Sequence, residues 1–326
     1  MNIPDTETTE LPSQTASGGL MPWLRLMRLP TVFTAITNVL CGYFVSTDSR
    51  HLPELLSRSE LWLLLLTSSL LYLAGMVLND VFDYELDSRE RPERPLPSGQ
   101  ISRRGAGILG WGMMSGGLIS ALAAGFVSDS GYTTFQVAVL LAASVWLYDS
   151  TLKSTPLSPF GMAGCRFLNI MLGASTCGHW GIVWGGPQVM IASAMFVYVL
   201  GVTWFARNET GTASRWQLVS SIIVVLSAIG LNVWLCYRTD PGTRSPATGA
   251  MLALGLVAAN IFRASIRAIS SGMAIKLQKH VGFMLLNIIF IDVAMTFCVT
   301  GSSSLAFLVV APVLPAVLLK KIIPLS

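Results

Sequence analysis

The sequence predicts an all-helical bundle that crosses a membrane several times. Of its 326 residues, 52% are hydrophobic and only 12% are charged, whereas a soluble domain usually carries about 25% charged residues. The apolar residues also fall into blocks of roughly 17–25 residues, the length that an α-helix needs to cross about 30 Å of hydrocarbon. A chain so poor in charge cannot cover a water-facing surface, which excludes an ordinary soluble domain.

Ten apolar blocks are candidate membrane spans. They lie at 28–46, 61–82, 105–127, 133–149, 161–178, 188–206, 217–236, 247–262, 281–299 and 304–319. The bundle has nine helices if only one of the last two blocks crosses, and ten if both do. Residues 1–20 are polar and are predicted to be a disordered tail. Because no connection between blocks is long enough for a separate soluble domain, residues 21–326 are predicted to form one membrane domain.

The positions of lysine and arginine predict the orientation. If every block crosses, sixteen of the 21 basic residues lie on the same side as the N-terminus, and such residues favour the cytoplasmic side. We therefore expect a multi-pass protein of the cell (inner) membrane whose N-terminus and 84–104 segment are cytoplasmic. The net charge of +4 then describes one membrane face and does not indicate a nucleic-acid partner. The five cysteines lie inside apolar blocks without a Cys-x-x-Cys pair, so we expect neither a disulfide framework nor a His/Cys metal site.

A polar cluster at the end of the second block is the main candidate for chemistry. Asn79, Asp83 and Asp87 are spaced four residues apart. On a helix each step of four rotates only about 40°, so the three oxygens should share one face, from which Asp80 points away. Two carboxylates and an amide oxygen suit Mg²⁺, which prefers oxygen ligands.

Basic residues follow this acidic face at once, at Arg89, Arg91 and Arg94. Groups that bind anions beside groups that bind cations indicate a site for a metal–diphosphate complex. The alternative is a helix end whose charged residues simply face water. The residue pattern alone leaves both interpretations open.

Residues 79–87 (NDVFDYELD) and 91–102 (RPERPLPSGQIS) resemble the first aspartate-rich motif and loop of the UbiA superfamily of intramembrane prenyltransferases. In that family the motif lies at the cytoplasmic end of the second helix and binds Mg²⁺ and the diphosphate of an isoprenoid donor. The resemblance implies that Asn79, Asp83 and Asp87 are metal ligands and that Arg91 and Arg94 hold diphosphate. It also implies a helical membrane bundle, usually of nine helices, around a central cavity.

Two further segments bear on this resemblance. Tyr148 and Lys153 look like the family's Tyr-x-x-x-x-Lys element, in which the lysine contacts diphosphate; seen alone, Lys153 would be a lysine reaching for the membrane surface. The family's second Asp-x-x-x-Asp motif falls at residues 205–215, where Asn208 and Thr212 replace the aspartates. Only Glu209 offers a carboxylate there.

Loss of both aspartates should weaken a second Mg²⁺. Glu209 and Arg207 could still contact the diphosphate. This divergence is reminiscent of the EboC-like branch of the superfamily.

The function implied is Mg²⁺-dependent transfer of a prenyl group from an isoprenoid diphosphate to a small-molecule acceptor, aromatic or otherwise nucleophilic, inside the membrane. Asp83, Asp87 and Lys153 are the predicted catalytic residues. Two alternatives remain open: a divergent, non-catalytic protein that binds or moves an isoprenoid-like lipid, and a secondary transporter. Charged clusters at helix ends on one face favour the transferase over a transporter, which often has broken helices at mid-membrane.

Polar residues also occur inside the apolar blocks. Arg166 and Asn169 lie three residues apart in the fifth block, and Asp292 lies deep in the ninth. Such residues either join helices by hydrogen bonds or line a polar cavity.

Overall fold

The computed structural model describes residues 19–207, 215–239 and 244–322, which form helices and turns without any β-strand. The helices are α1 Leu20–Leu26, α2 Phe33–Ser46, α3 Leu52–Ser57, α4 Ser59–Phe82, α5 Tyr84–Glu90, α6 Arg103–Val127, α7 Thr133–Ser150, α8 Ser158–Ala174, α9 Trp180–Gly185, α10 Pro187–Arg207, α11 Arg215–Thr239, α12 Arg244–Ser271, α13 Ala274–Thr300, α14 Ser303–Val310 and α15 Val313–Ile322. The predicted all-helical fold is confirmed.

Among the described residues, seven helical segments are long and apolar enough to cross a membrane. They are Leu29–Ser46, Ser59–Phe82, Arg103–Val127, Pro187–Arg207, Arg215–Thr239, Pro246–Ser271 and Ala274–Thr300. Two more helices, α7 and α8, pack against each other within the bundle and also contact α4. The protein is therefore a multi-pass integral membrane protein with nine long helices among the described residues.

The tenth apolar block forms two short helices instead of one span. α14 packs against α13, and α15 packs against the 3-10 turn Leu29–Thr31 that precedes α2. Pro312 lies between α14 and α15, where its missing N–H and its ring interrupt helical hydrogen bonding. The C-terminal segment consequently runs back along the bundle as a bent pair.

The connection between α12 and α13 is much shorter than the apolar blocks indicated. The predicted boundaries at 262 and 281 were wrong, because α12 continues to Ser271 and α13 begins at Ala274. Gly272 makes the turn with a φ of 61°, a conformation that favours glycine after a helix. Hydropathy falls at charged residues, but a helix can continue past the edge of the hydrocarbon, so the basic residues between 263 and 280 lie on helix ends.

Helices α2 and α8 cross with their backbones in contact. A Cβ at Gly42 would lie 2.0 Å from the carbonyl oxygen of Ile170, and one at Gly173 would lie 2.1 Å from that of Val39. Small residues allow such approach in membranes, where helices associate through packing rather than through the hydrophobic effect. This crossing sets the separation of the helices that surround the candidate site.

Replacing Gly173 by alanine should therefore destabilise the protein by about 1–3 kcal/mol, because the clash is with backbone atoms that cannot move aside. The measurement is thermal unfolding of the purified protein in detergent. Gly164→Ala on the same helix is the control, since no described heavy atom lies within 4 Å of a Cβ placed there, and alanine is the better helix former. Equal losses in the two variants would contradict the close-crossing argument.

Candidate active site

The acidic motif spans a bend at the end of α4. Asp83 separates α4 from α5 with φ −82° and ψ 2°. Helical hydrogen bonding nevertheless continues, because the amide of Asp83 donates to the carbonyl of Asn79 at 2.9 Å and that of Asp87 donates to Asp83 at 2.8 Å. The spacing of four residues thus corresponds to successive turns, as the sequence predicts, but the bend alters where the side chains point.

Lys153 contacts the acidic motif from a distant part of the chain. Its Nζ lies 2.6 Å from Asp83 Oδ1 and donates a hydrogen bond to Asn79 Oδ1 at 3.2 Å. Lys153 belongs to a 3-10 turn just after α7. The structure thus brings Lys153 to two of the three predicted metal ligands, 74 residues away along the chain.

The other two aspartates of the motif form a separate ion-pair cluster. Arg94 Nη1 lies 2.6 Å from Asp87 Oδ2 and 3.8 Å from Asp80 Oδ1, while Arg28 Nη2 lies 2.9 Å from the same Asp80 oxygen. The side chains of Asp80, Asp87 and Arg94 are only 4%, 5% and 9% exposed. We call these four residues the Asp80 cluster. Asp80, which the sequence predicts to point away from the metal-binding face, lies at the centre of this cluster.

These contacts bear on the predicted Mg²⁺ site. The side-chain oxygens of Asn79 and Asp83 both contact the Lys153 ammonium, so the positive charge of Lys153 lies between them. The Asp87 carboxylate instead forms an ion pair with Arg94. Within the described ranges, no three carboxylate, histidine or cysteine side chains are grouped closely enough to hold a metal ion. This donor set fits Mg²⁺ that takes one or two protein oxygens and completes its shell with substrate oxygens and water. The metal-ligand roles of Asn79, Asp83 and Asp87 remain predictions.

The remaining predicted diphosphate contacts lie at the periphery. Arg91 is exposed, with Nη1 4.0 Å from Asp87 Oδ1. Arg207 ends α10 and donates a hydrogen bond of 2.5 Å to the carbonyl of Thr155, two residues beyond Lys153. The end of α10 is thereby placed beside the Lys153 turn. Asn208, Glu209 and Thr212 lie outside the described residues.

A cavity of about 200 Å³ opens next to this site, enclosed by α2, α4, α7 and α8. Its motif end is formed by Arg28, Asn79 and Asp149, and its inner end by Ser68, Arg166 and Asn169. The wall between them is largely apolar; it comprises Ala35, Leu71, Tyr72, Gly75, Met76, Leu141, Val145, Tyr148, Met162 and Cys165. The cavity therefore connects the charged helix ends with the membrane interior.

A buried hydrogen-bond network holds the helices at the inner end together. Arg166 of α8 donates to Asn38 Oδ1 at 3.2 Å and to Thr34 Oγ1 at 2.9 Å on α2. Asp292 of α13 accepts from Thr37 at 2.9 Å and from Asn38 at 2.7 Å. The two sequence interpretations of these residues both apply, because the network joins helices and Arg166 also lines the cavity.

Comparison with known proteins identifies the family. The model of the UbiA prenyltransferase family matches residues 35–263. A digeranylgeranylglyceryl phosphate synthase of Methanoculleus marisnigri is 32% identical over 222 residues, covering 66% of this chain and 72% of the relative. The chain belongs to the UbiA prenyltransferase family.

Other relatives match this chain over a smaller part of their length. The synthase of the same name from Metallosphaera sedula is 36% identical over 135 residues, which is 41% of this chain and 43% of the relative. The matched region covers 58% of the length of the relative from Methanosarcina mazei and 45% of that from Sulfolobus acidocaldarius. The chain thus spans about half the length of these relatives.

Solved structures confirm the UbiA fold. A UbiA homologue from Archaeoglobus fulgidus, bound to GPP and Mg²⁺, superposes with a TM-score of 0.60 at 15% identity and covers 86% of this chain and 100% of its own. A structure concerning digeranylgeranylglyceryl phosphate synthase superposes with a TM-score of 0.61 at 19% identity, over 87% of this chain and 99% of that one. The likeness at these identities concerns the fold.

Sequence reasoning missed two charged residues of the site, Arg28 and Asp149. Arg28 was counted only as a basic residue that sets orientation, yet it holds Asp80 and has a left-handed backbone with φ 46°. Asp149 adjoins Tyr148 in the Tyr-x-x-x-x-Lys element; it is buried and lines the cavity, and its Oδ2 accepts no hydrogen bond from the described part of the chain. A carboxylate next to the family's tyrosine was the available signal for Asp149, whereas nothing in the sequence signals the contact of Arg28.

The Asp80 cluster predicts that Asp80→Asn will destabilise the protein more than Asp83→Asn. Removing the Asp80 charge leaves Arg28 without its carboxylate and weakens the compensation of Arg94, at a cost of about 3 kcal/mol or more. Asp83 is 22% exposed and its partner Lys153 is 20% exposed, so water can solvate the Lys153 ammonium that Asp83→Asn leaves without its carboxylate. Thermal unfolding of both variants in one detergent is the measurement, and an equal loss would show that the cluster carries no special stability.

Proposed function

We propose that the protein transfers a prenyl group from an isoprenoid diphosphate to a small nucleophilic acceptor inside the membrane, with Mg²⁺. The observation that carries this proposal is the convergence of Asn79, Asp83 and Lys153 at the motif end of an intramembrane cavity. Membership of the UbiA family supports it. Structural neighbours bound to GPP and Mg²⁺ or to DMAPP and Mg²⁺ also support it.

The cationic side chains account for diphosphate binding. Lys153 and Arg94 lie at the motif end, and Arg91 and Arg207 are exposed nearby. Positive charge fixed in a poorly solvated site stabilises the leaving diphosphate as the C–O bond breaks. We infer that Asn79, Asp83 and Asp87 hold Mg²⁺, which when bound would neutralise part of the charge on the diphosphate oxygens.

The ion pairs also explain how the site stays compensated before substrate binds. Asp83 is paired with Lys153 and Asp87 with Arg94, so neither carboxylate is an isolated buried charge. A metal–diphosphate complex brings charges of both signs, so it can take over the cations and the carboxylates together. Replacing both ion pairs by contacts to the metal–diphosphate complex then costs less free energy than breaking one buried pair with a single ion.

The cavity supplies what an allylic carbocation needs. Its wall is mainly apolar, and it includes the rings of Tyr72 and Tyr148. Aromatic faces attract cations, and an apolar enclosure keeps out the water that would capture the carbocation. The acceptor would enter the same cavity and attack the carbon released from diphosphate.

Asp149 is suited to accept the proton that the acceptor loses. Its Oδ2 has no hydrogen-bond partner among the residues that the structure describes, and Asp149 lines the cavity four residues before Lys153. When a hydroxyl oxygen of the acceptor bonds to the prenyl carbon, diphosphate leaves with the C–O electron pair and the hydroxyl proton passes to the Asp149 carboxylate. A positioned base of this kind contributes typically 10²–10⁴-fold.

Domain and orientation are part of the proposal. We propose that residues 21–326 act as one membrane domain, with the N-terminus and residues 84–104 on the cytoplasmic side. The contacts of Arg28, Arg94 and Lys153 with the α4 motif support a common location for these basic residues at one end of the bundle.

Purified protein incubated with radiolabelled prenyl diphosphates, Mg²⁺ and an acceptor panel should form a prenylated product. Lys153→Ala should weaken donor binding roughly ten- to a hundredfold, the equivalent of about 1.5–3 kcal/mol for a contact to a charged group. Lys276→Ala, an exposed site on α13, is the matched control. Absence of donor binding and of product in the wild type would favour a non-catalytic lipid-binding protein.

Asp149→Asn should separate two readouts. Prenyl transfer to an acceptor hydroxyl should fall about a hundredfold or more, while donor affinity and slow donor hydrolysis by water should persist because the diphosphate contacts remain. Asp149→Glu should restore part of the transfer. Equal loss of transfer, hydrolysis and donor affinity in Asp149→Asn would indicate a structural role instead.

A further inference from the structure

A groove between α11 and α12 lies apart from the candidate active site. The two helices pack against each other and against α13, and neither of them lines the active-site cavity. The groove has a volume of about 340 Å³, and its walls run from Arg215 to Leu226 on α11 and from Phe262 to Ser270 on α12. The lining residues recur at intervals of three and four positions, so they share one face of each helix. The groove therefore runs along both helices.

Apolar side chains form most of the groove wall. Ile223, Phe262 and Ile266 are 61%, 51% and 52% exposed, so they present open apolar surface to an occupant. The buried hydroxyl of Ser265 contacts the carbonyl oxygen of Ile261 at 2.7 Å and Nε2 of His280 at 2.8 Å, so its hydrogen bonds are made within the protein. A hydrocarbon chain suits such a wall, because it gains many van der Waals contacts with both helices.

The length of the groove matches one leaflet of a membrane. Arg215 and Leu226 are eleven residues apart, which corresponds to about 16 Å along α11. The hydrocarbon core of a bilayer is about 30 Å thick, so one leaflet contributes about 15 Å. Since Arg215 is the first residue of α11, the groove begins near the membrane surface and ends near the middle of the bilayer. One acyl chain of a lipid covers the same depth.

The charged residues that α11, α12 and α13 carry near the polar end of the groove are all basic and exposed. They are Arg215, Arg263, Arg267, Lys276 and Lys279. Between residues 210 and 291 the sequence contains one acidic residue, Asp240, which follows the opposite end of α11. The ion pairs found within the described parts of the chain include none of the five basic residues. This end of the helices therefore carries positive charge without a described counter-charge.

Membrane orientation alone does not explain this charge pattern. Basic residues favour the cytoplasmic side, but acidic residues there have little influence on orientation, so the rule does not require their absence. The α4 motif shows the difference, because its neighbouring basic residues Arg28 and Arg94 are paired with Asp80 and Asp87. Basic clusters beside grooves between membrane helices bind the head groups of anionic lipids. A membrane lipid can thus supply the counter-charge that α11–α13 lack.

We propose that the α11–α12 groove binds one anionic phospholipid of the surrounding membrane. Its phosphate contacts Arg215, and one acyl chain lies along the groove between Val219 and Ile266. A guanidinium forms paired hydrogen bonds with phosphate oxygens. A zwitterionic phospholipid offers the same chain and phosphate, but the basic cluster repels its cationic group. The groove is separate from the prenyl-transfer site, and the assignment does not depend on that function.

Lipid titration tests the head-group preference. The purified full chain, delipidated in a non-ionic detergent, is titrated with dioleoylphosphatidylglycerol or dioleoylphosphatidylcholine, and the first bound lipid is quantified by native mass spectrometry. The wild type should bind the anionic lipid about tenfold more tightly or better, because several basic residues act on it. Arg215→Gln should reduce the preference to about threefold or less. Arg104→Gln, which removes an exposed charge from the start of α6, should leave it unchanged.

A pair of tryptophan variants tests the position of the acyl chain independently of charge. Ile266→Trp places a larger ring in the groove and should weaken binding of the anionic lipid about fivefold or more, since the chain loses its place. Leu252→Trp is the matched control. Leu252 is exposed on α12, fourteen residues earlier and on nearly the same helix face, but beyond the groove. Affinity in Leu252→Trp should equal that of the wild type.

Four outcomes would overturn the lipid site. They are equal binding of the two lipids by the wild type, an equal loss of preference in Arg104→Gln and Arg215→Gln, unchanged affinity in Ile266→Trp, and displacement of the bound phospholipid by geranylgeranyl diphosphate with Mg²⁺. The last result would instead make the groove a second position for a prenyl diphosphate. Because every variant replaces an exposed side chain, a loss of binding in a folded variant reports on the groove itself.

Discussion

Compensation of buried charge at the end of α4 is the constraint on which the site depends. Asp80 receives Arg28 from the turn before α2 and Arg94 from the segment after α5, and Arg94 also pairs with Asp87. Each charge alone would carry a large desolvation free energy in so poorly solvated a place, and the opposite charges together offset that cost. The cluster therefore joins three chain segments, and it fixes the loop that follows the acidic motif against the turn that precedes α2.

The helices below this cluster are held by close packing and by polar contacts. The α2–α8 crossing brings backbone atoms together at Gly42 and Gly173, and Arg166 and Asn169 bond from α8 to α2 in the same region. Because lipid is as apolar as the side chains, such contacts decide which helices meet. The close packing and the polar contacts between α2 and α8 leave space between α4, α7 and α8. The cavity therefore results from how the helices associate.

Much of the architecture follows from the sequence alone, because long apolar blocks report membrane helices directly. The Asn79, Asp83 and Lys153 grouping was also accessible, through the spacing of four residues and the family resemblance. What the sequence could not give was the partner across the bundle. The periodicity of α4 places Asp80 off the expected face but does not indicate that Arg28, 52 residues earlier, lies opposite it. Helix ends were misjudged at α12 and α13 because charge marks the edge of the hydrocarbon rather than the end of a helix.

The distances along the chain between the bonded residues also imply an order of assembly during synthesis. Arg28 lies just before α2 and Asp80 near the end of α4, so their ion pair can form before α8 and α13 are made. Asn38 must wait for Arg166, 128 residues later, and for Asp292, 254 residues later. Until then its amide lies in the bilayer without these partners, and chains that fold in membranes satisfy such groups with water or with neighbouring helices. Helices α2 and α4 can thus be joined at one end while Asn38 still lacks its partners, and α13 supplies the later of these two partners.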